Sequence, residues 1–214
     1  MSEAAATPAS IDKNKNGQHS LFGGSVPLFI LFAAAFVLFW LSHKNIGATF
    51  RYWEIFVPVV AVVSLFSGWG QAYVGGNSRL WYLIKQIVHW GALIGLLYIL
   101  NSQGIRALMS DQQYTAVILY LLAFASLLAA MHVDFKLFFF AIFMVFCAYL
   151  IAVPANNPTL VGLGELMGIA DAQNKPVLMT TIAAGSGFVA SLFVLLFLRG
   201  AIMSKRASEQ KRKG

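Results

Sequence analysis

The sequence predicts an all-α integral membrane protein, a bundle of about six transmembrane helices with both termini in the cytoplasm. Three observations carry this. The 214 residues are 59% hydrophobic and 11% charged, with a mean hydropathy of +0.73, whereas soluble domains carry roughly 25% charge. The apolar residues come in runs of about 20, the length a helix needs to cross ~30 Å of hydrocarbon at ~1.5 Å per residue. The basic residues outside those runs are divided unevenly between the two sides. A transmembrane barrel would show ~10-residue segments of alternating polarity, a pattern this sequence lacks.

Residues 1–24 are polar and rich in small residues (EAAATPAS, then DKNKNGQ), which predicts a disordered cytoplasmic N-terminal tail. The first apolar run starts near Val26 and is too long for the core of a cleaved signal peptide. That run, about 26–42, is the first span. Pro27 sits in its first turn, where a missing N–H costs little, and Trp40, His43 and Lys44 mark the far interface. The second span covers about 54–74, preceded by Arg51, Tyr52 and Trp53 and closed by Trp69, Gln71 and Tyr73. Pro58 is expected as a first-turn proline or a mild kink. Gly75 to Ser78 is a turn by composition, leading into a third span at about 81–100.

Asn101 to Gln113 is polar and leaves room for one interfacial turn of helix. The fourth and fifth spans, about 114–132 and 136–153, are separated by the short stretch around Asp134 and predict a tight antiparallel hairpin. The fifth is crowded with phenylalanine (FFFAIFMVF), which suggests contact with lipid or another apolar helix. Within the longest connection, LVGLGELMGIA is weakly amphipathic and predicts a short interfacial helix. The sixth span, about 177–198, leads into a basic C-terminal tail at 201–214. Residues 25–200 thus form the bundle, with five spans as the alternative count if the first helix is re-entrant or peripheral.

Six spans place Lys13, Lys15, Arg79, Lys136, Arg199, Lys205, Arg206, Lys211, Arg212 and Lys213 on one side, against Lys44, Arg51, Arg106 and Lys175 on the other. The richer side is expected to be cytoplasmic. The net charge of +7 is therefore read as a topology anchor facing anionic lipid rather than as a nucleic-acid surface, for which no base-stacking or helix-turn-helix pattern is present.

The third span carries the most informative polar pattern. Tyr82, Lys85, Gln86 and His89 fall at i, i+3, i+4 and i+7, one face of a helix. An ammonium and an imidazole inside a span are costly and need an explanation. One reading is structural: Lys85 snorkels to the headgroups while a neutral His89 bonds to a neighbouring helix. The other is a proton or ligand site, joined from the same side by Gln71, His132, Asp134, Ser64 and Ser67. A through-membrane relay would also need acidic groups at mid-membrane and in the outer half, where the spans offer only Glu54, near the outer edge beside Arg51. The structural reading is preferred.

No cofactor is expected. Haem ligation by His89 and His132 would require similar depth, and the two differ by about two turns, or ~10 Å. Zinc would need three clustered ligands. Cys147 stands alone, so no intrachain disulfide or Cys-based metal site can form. P-loop, G-x-G-x-x-G, H-E-x-x-H and G-x-S-x-G patterns are missing. In the last span Ala183, Gly187 and Ser191 recur every four residues, a small-residue face suited to close helix packing. Trp40, Trp53, Trp69 and Trp81 are expected in the interfacial belts, and Trp90 inside the bundle.

Together these features predict a non-catalytic subunit or assembly factor of a membrane complex, in a bacterial inner membrane. Its partners would be lipid and other membrane chains or a second copy, with anionic lipid at the C-terminal tail. The alternative is a small secondary transporter or proton-coupled carrier using the polar face of the third span.

Overall fold

The computed structural model describes residues 26–44, 46–74, 79–132, 135–155 and 157–213, and side chains for all of these except 44, 46–49, 69–74, 79, 132, 195 and 198–213. The regular structure among the described residues is helical throughout. The α-helices are α1 (Val26–Lys44), α2 (Ile46–Val74), α3 (Arg79–Ser102), α4 (Asp111–His132), α5 (Lys136–Ala152), α6 (Pro158–Met167) and α7 (Pro176–Lys213). Five of them, α1 to α4 and α7, are long and apolar enough to cross a membrane. The 17 residues of α5 extend about 25 Å.

Helix α4 is the centre of the bundle. It packs against α5 along its length and also against α2 and α3, while α1 pairs with α7 and α2. Of the α4 span 61% is buried, against 22% for α3. Alanines at 116, 123 and 130 are buried along α4, as are Ala141 and Ala148 along α5. Each set is spaced by seven residues, two helical turns, and so lies on one face. Small residues at that spacing let helices approach closely, and such packing matters more in lipid, where hydrocarbon burial alone drives little association. At one end of the hairpin Gln112 Nε2 donates to the Ile151 carbonyl at 2.7 Å.

Two features of α2 differ from the sequence expectation. The helix begins at Ile46, so Arg51, Tyr52 and Trp53 belong to it rather than preceding it. Pro58 consequently lies in the helix interior, where its ring removes one backbone donor. Trp53 was expected in an interfacial belt, yet it is fully buried. Its ring lies 4.6 Å from that of Phe39 and 5.7 Å from that of Phe56, and its Nε1 donates to Ser42 Oγ at 3.3 Å. Ser42 in turn donates to the Leu38 carbonyl at 2.8 Å. The indole thereby pins α1 to α2. A buried tryptophan needs such a hydrogen-bond acceptor, and Ser42 supplies it. Trp40 and Trp81 are exposed, and Trp90 is buried.

Helix α7 closes the bundle against α1. Phe188 lies 5.1 Å from Phe29 and stacks on Phe36 at 6.0 Å. Thr181 Oγ1 lies 3.0 Å from the Phe39 carbonyl of α1 and 2.7 Å from the Val177 carbonyl of its own helix. The helix continues without a break to Lys213, so the basic segment extends the last span as helix.

The short helix α6 forms where an interfacial helix was expected, and its ends explain its length. Asn157 Oδ1 accepts from the Thr159 and Leu160 amides at 3.0 and 3.4 Å, capping a helix whose first residue is Pro158. Gly168 ends it at φ 66°, a conformation glycine adopts without strain. Gly164 meets a different demand: a Cβ there would lie 2.5 Å from that of Ala172.

Candidate functional site

The polar residues of α3 divide between two directions. Tyr82, Gln86 and His89 are engaged within the bundle. Tyr82 Oη donates to the Leu65 carbonyl of α2 at 3.0 Å. Gln86 is buried, and its Oε1 accepts from Trp90 Nε1 one turn along the same helix at 3.0 Å. His89 Nε2 lies 2.9 Å from the Ala125 carbonyl of α4. A carbonyl can only accept, so Nε2 carries the hydrogen. The Trp90 ring stands edge-on to the imidazole at 5.1 Å.

Lys85 points elsewhere. It is exposed, and its Nζ sits over the Trp81 ring, 5.6 Å from the centroid. Helical side chains lean toward the N-terminus, which carries the ammonium toward the α2–α3 end of the bundle.

Two further hydroxyls belong to the neighbouring helices, Ser64 to α2 and Ser126 to α4. Ser126 also follows Ala125, the acceptor of His89. Both hydroxyls are fully buried and have no hydrogen-bond partner among the described residues. Buried polar groups are ordinarily paired, which sets these two hydroxyls, one on α2 and one on α4, apart.

The side chains of Gln71 and His132, and Asp134 altogether, lie outside the described residues. Among the described residues no group of three His, Cys, Asp or Glu is placed to hold a metal ion. The small-residue face of α7 is turned inward at Gly187, where a Cβ would lie 3.0 Å from Phe143 of α5 and 3.4 Å from Phe32 of α1. Ala183 packs against the small core formed by Leu150, Leu160, Ala172 and Met179. Ser191 Oγ donates to the Phe188 carbonyl at 2.7 Å.

A second polar cluster, not anticipated from sequence, lies at the opposite end of the bundle. Tyr114 Oη donates to Glu54 Oε1 at 2.8 Å. Arg106, in the 3₁₀ turn Ile105–Leu108, forms an ion pair with Asp111 and donates from Nη1 to the Met109 carbonyl at 3.2 Å. Its guanidinium carbon lies 4.3 Å from the Phe50 ring centroid and 4.9 Å from that of Tyr114. Planar guanidinium groups suit such stacking. The cluster fastens the α3–α4 connection onto α2. Its sequence signal was slight: an arginine and an aspartate five residues apart in a polar loop, with a tyrosine opening the next apolar run.

An apolar groove of about 560 Å³ lies between α4 and α5, with Ala123 and Ala141 at its floor and Phe124, Leu127, Ile142 and Val145 along its exposed walls. The five span-length apolar helices mark the chain as an integral membrane protein. No family model, curated protein or solved structure matches it.

Proposed function

We propose that the chain is a non-catalytic subunit or assembly factor of a membrane complex, acting through the surfaces of its helices. The observation that carries this reading is the contrast within α3. Tyr82, Gln86 and His89 are each held by a bond inside the bundle, while Trp81, Ile84, Ile87, Val88, Ile94 and Tyr98 are exposed. A helix fixed on one side by polar bonds and uncovered on the other suits lateral association with another chain. In this reading α5 is a sixth crossing, since it pairs with α4 over its whole length. Both termini then lie on the side richer in Lys and Arg, the cytoplasmic side of a bacterial inner membrane.

The test is purification in mild detergent, with identification of co-purifying chains and an absorption spectrum. Stoichiometric partner chains support the reading. A lone monodisperse species argues against it, and a Soret band would establish a haem that the reading does not include.

A second reading, a small proton-coupled carrier, is favoured by the buried Ser64 and Ser126 hydroxyls, which have no partner among the described residues, Ser126 being next in sequence to the His89 acceptor Ala125. Its site would take in Gln86, His89 and Asp134, and Lys85 only if that side chain turned inward from its place over Trp81. A carrier should lose transport in His89→Ala with folding intact, whereas a subunit should retain assembly in His89→Leu.

A further inference from the structure

We propose that Lys85 and Trp81 form a binding site for the phosphate of an anionic phospholipid, on the outer surface of α3 at the α2–α3 end of the bundle. The inference rests on the chain spanning a membrane. It does not depend on the subunit reading.

The backbone of Lys85 lies six residues inside the start of α3 at Arg79, about 9 Å along the axis. Its neighbours on the exposed surface, Ile84, Ile87 and Val88, are apolar, so acyl chains surround the stem. The charge itself does not stay at that depth. The ammonium reaches back one turn and sits over the ring of Trp81, which is 57% exposed. An indole on the bilayer surface of a helix end belongs at headgroup level, and a lysine stem of this length reaches there by snorkelling. Among the described residues no carboxylate lies within ion-pair distance of Lys85; the ion pair found is that of Arg106 with Asp111. The cation therefore faces outward at the depth of lipid phosphates, beside an aromatic face that attracts positive charge and fixes where the ammonium sits. A phosphate bearing net negative charge complements it, and a zwitterionic headgroup does so less well. Tyr82, bonded to the Leu65 carbonyl of α2, holds this turn of α3 in place.

The full-length protein should be reconstituted in nanodiscs of equal phosphatidylglycerol and phosphatidylcholine, released into detergent, and its retained lipids counted by native mass spectrometry. The wild type should retain phosphatidylglycerol in preference to phosphatidylcholine. Lys85→Gln should lower that preference several-fold, and Lys85→Arg should keep most of it. A variant with Lys211, Arg212 and Lys213 all changed to Gln should leave the Lys85-dependent part in place. Lys85→Met serves where Lys85→Gln does not fold. An unchanged preference in both neutral variants would overturn the proposal. So would a carbodiimide crosslink from Lys85 to a second chain, which would assign the cation to a protein carboxylate instead.

Discussion

Tyr114 of α4 donates its hydroxyl hydrogen to the Glu54 carboxylate of α2 at 2.8 Å, across 60 residues of sequence and between two helices running in the same direction. This bond ties the central helix to α2 near the first turns of α4. Tyr114→Phe should destabilise the protein by about 1.5 kcal/mol, the low end for a hydrogen bond to a charged group, because half-buried Glu54 can regain water. Glu54→Gln, which keeps an acceptor, should cost less. The double variant should lose less than the sum of the two, and thermal unfolding in detergent measures all three.

Arg106 anchors the α3–α4 connection through charge and through shape at once. Arg106→Lys preserves the charge but loses the planar contact with Phe50 and Tyr114. Hydrogen exchange of residues 103–110 should therefore speed up in the lysine variant almost as much as in Arg106→Ala. Protection equal to wild type in the lysine variant would show that the ion pair with Asp111 suffices.

Two glycines should respond oppositely to the same change. A Cβ at Gly187 would meet the Phe143 ring at 3.0 Å, while one at Gly91 meets nothing within 4 Å. Gly91→Ala should stabilise α3 by about 0.5–1 kcal/mol through helix propensity. Gly187→Ala should destabilise by about 1 kcal/mol, the low end of overpacking, because the phenylalanine ring must yield. Parallel unfolding curves decide the matter.

His89 bonds across to the Ala125 backbone carbonyl of α4. Replacing His89 with leucine should cost about 0.6 kcal/mol, the average for polar contacts between membrane helices, and no more than about 1.7 kcal/mol. The protein should stay folded, and co-purification of partner chains should survive. Loss of partners with the fold intact would move the functional surface to the α3–α4 interface.

The helices were readable in the sequence because bilayer crossing imposes a length and a composition that no other structure shares. The short helix α6 was readable for a similar reason, its apolar residues being spaced along one face. Contacts between helices were not. Trp53 lies next to Arg51 and Tyr52 and reads as an interfacial residue, but the helix starts a full two turns earlier than the apolar run, and Ser42 offers its indole an acceptor inside the bundle. The Glu54–Tyr114 bond depends on the relative register of two helices with a third between them in sequence. Composition does not encode that register. On α3 the cost of a charge in hydrocarbon made the outward turn of Lys85 and the inward bond of His89 legible, but not which carbonyl His89 meets, nor that Gln86 is engaged by Trp90 of its own helix.

The pairing of the first helix with the last bears on how the protein is made. The contact from Thr181 to the Phe39 carbonyl joins residues 142 positions apart. At translation rates of 5–20 residues per second, roughly 7 to 30 s pass between the emergence of Phe39 and that of Thr181. During that interval Phe29, Phe36 and the rest of the α7-facing side of α1 must rest against lipid or an insertion factor. The newborn chain is therefore open on this seam until its final helix arrives, and a ribosome stalled before α7 would leave an unsealed bundle exposed to quality-control proteases.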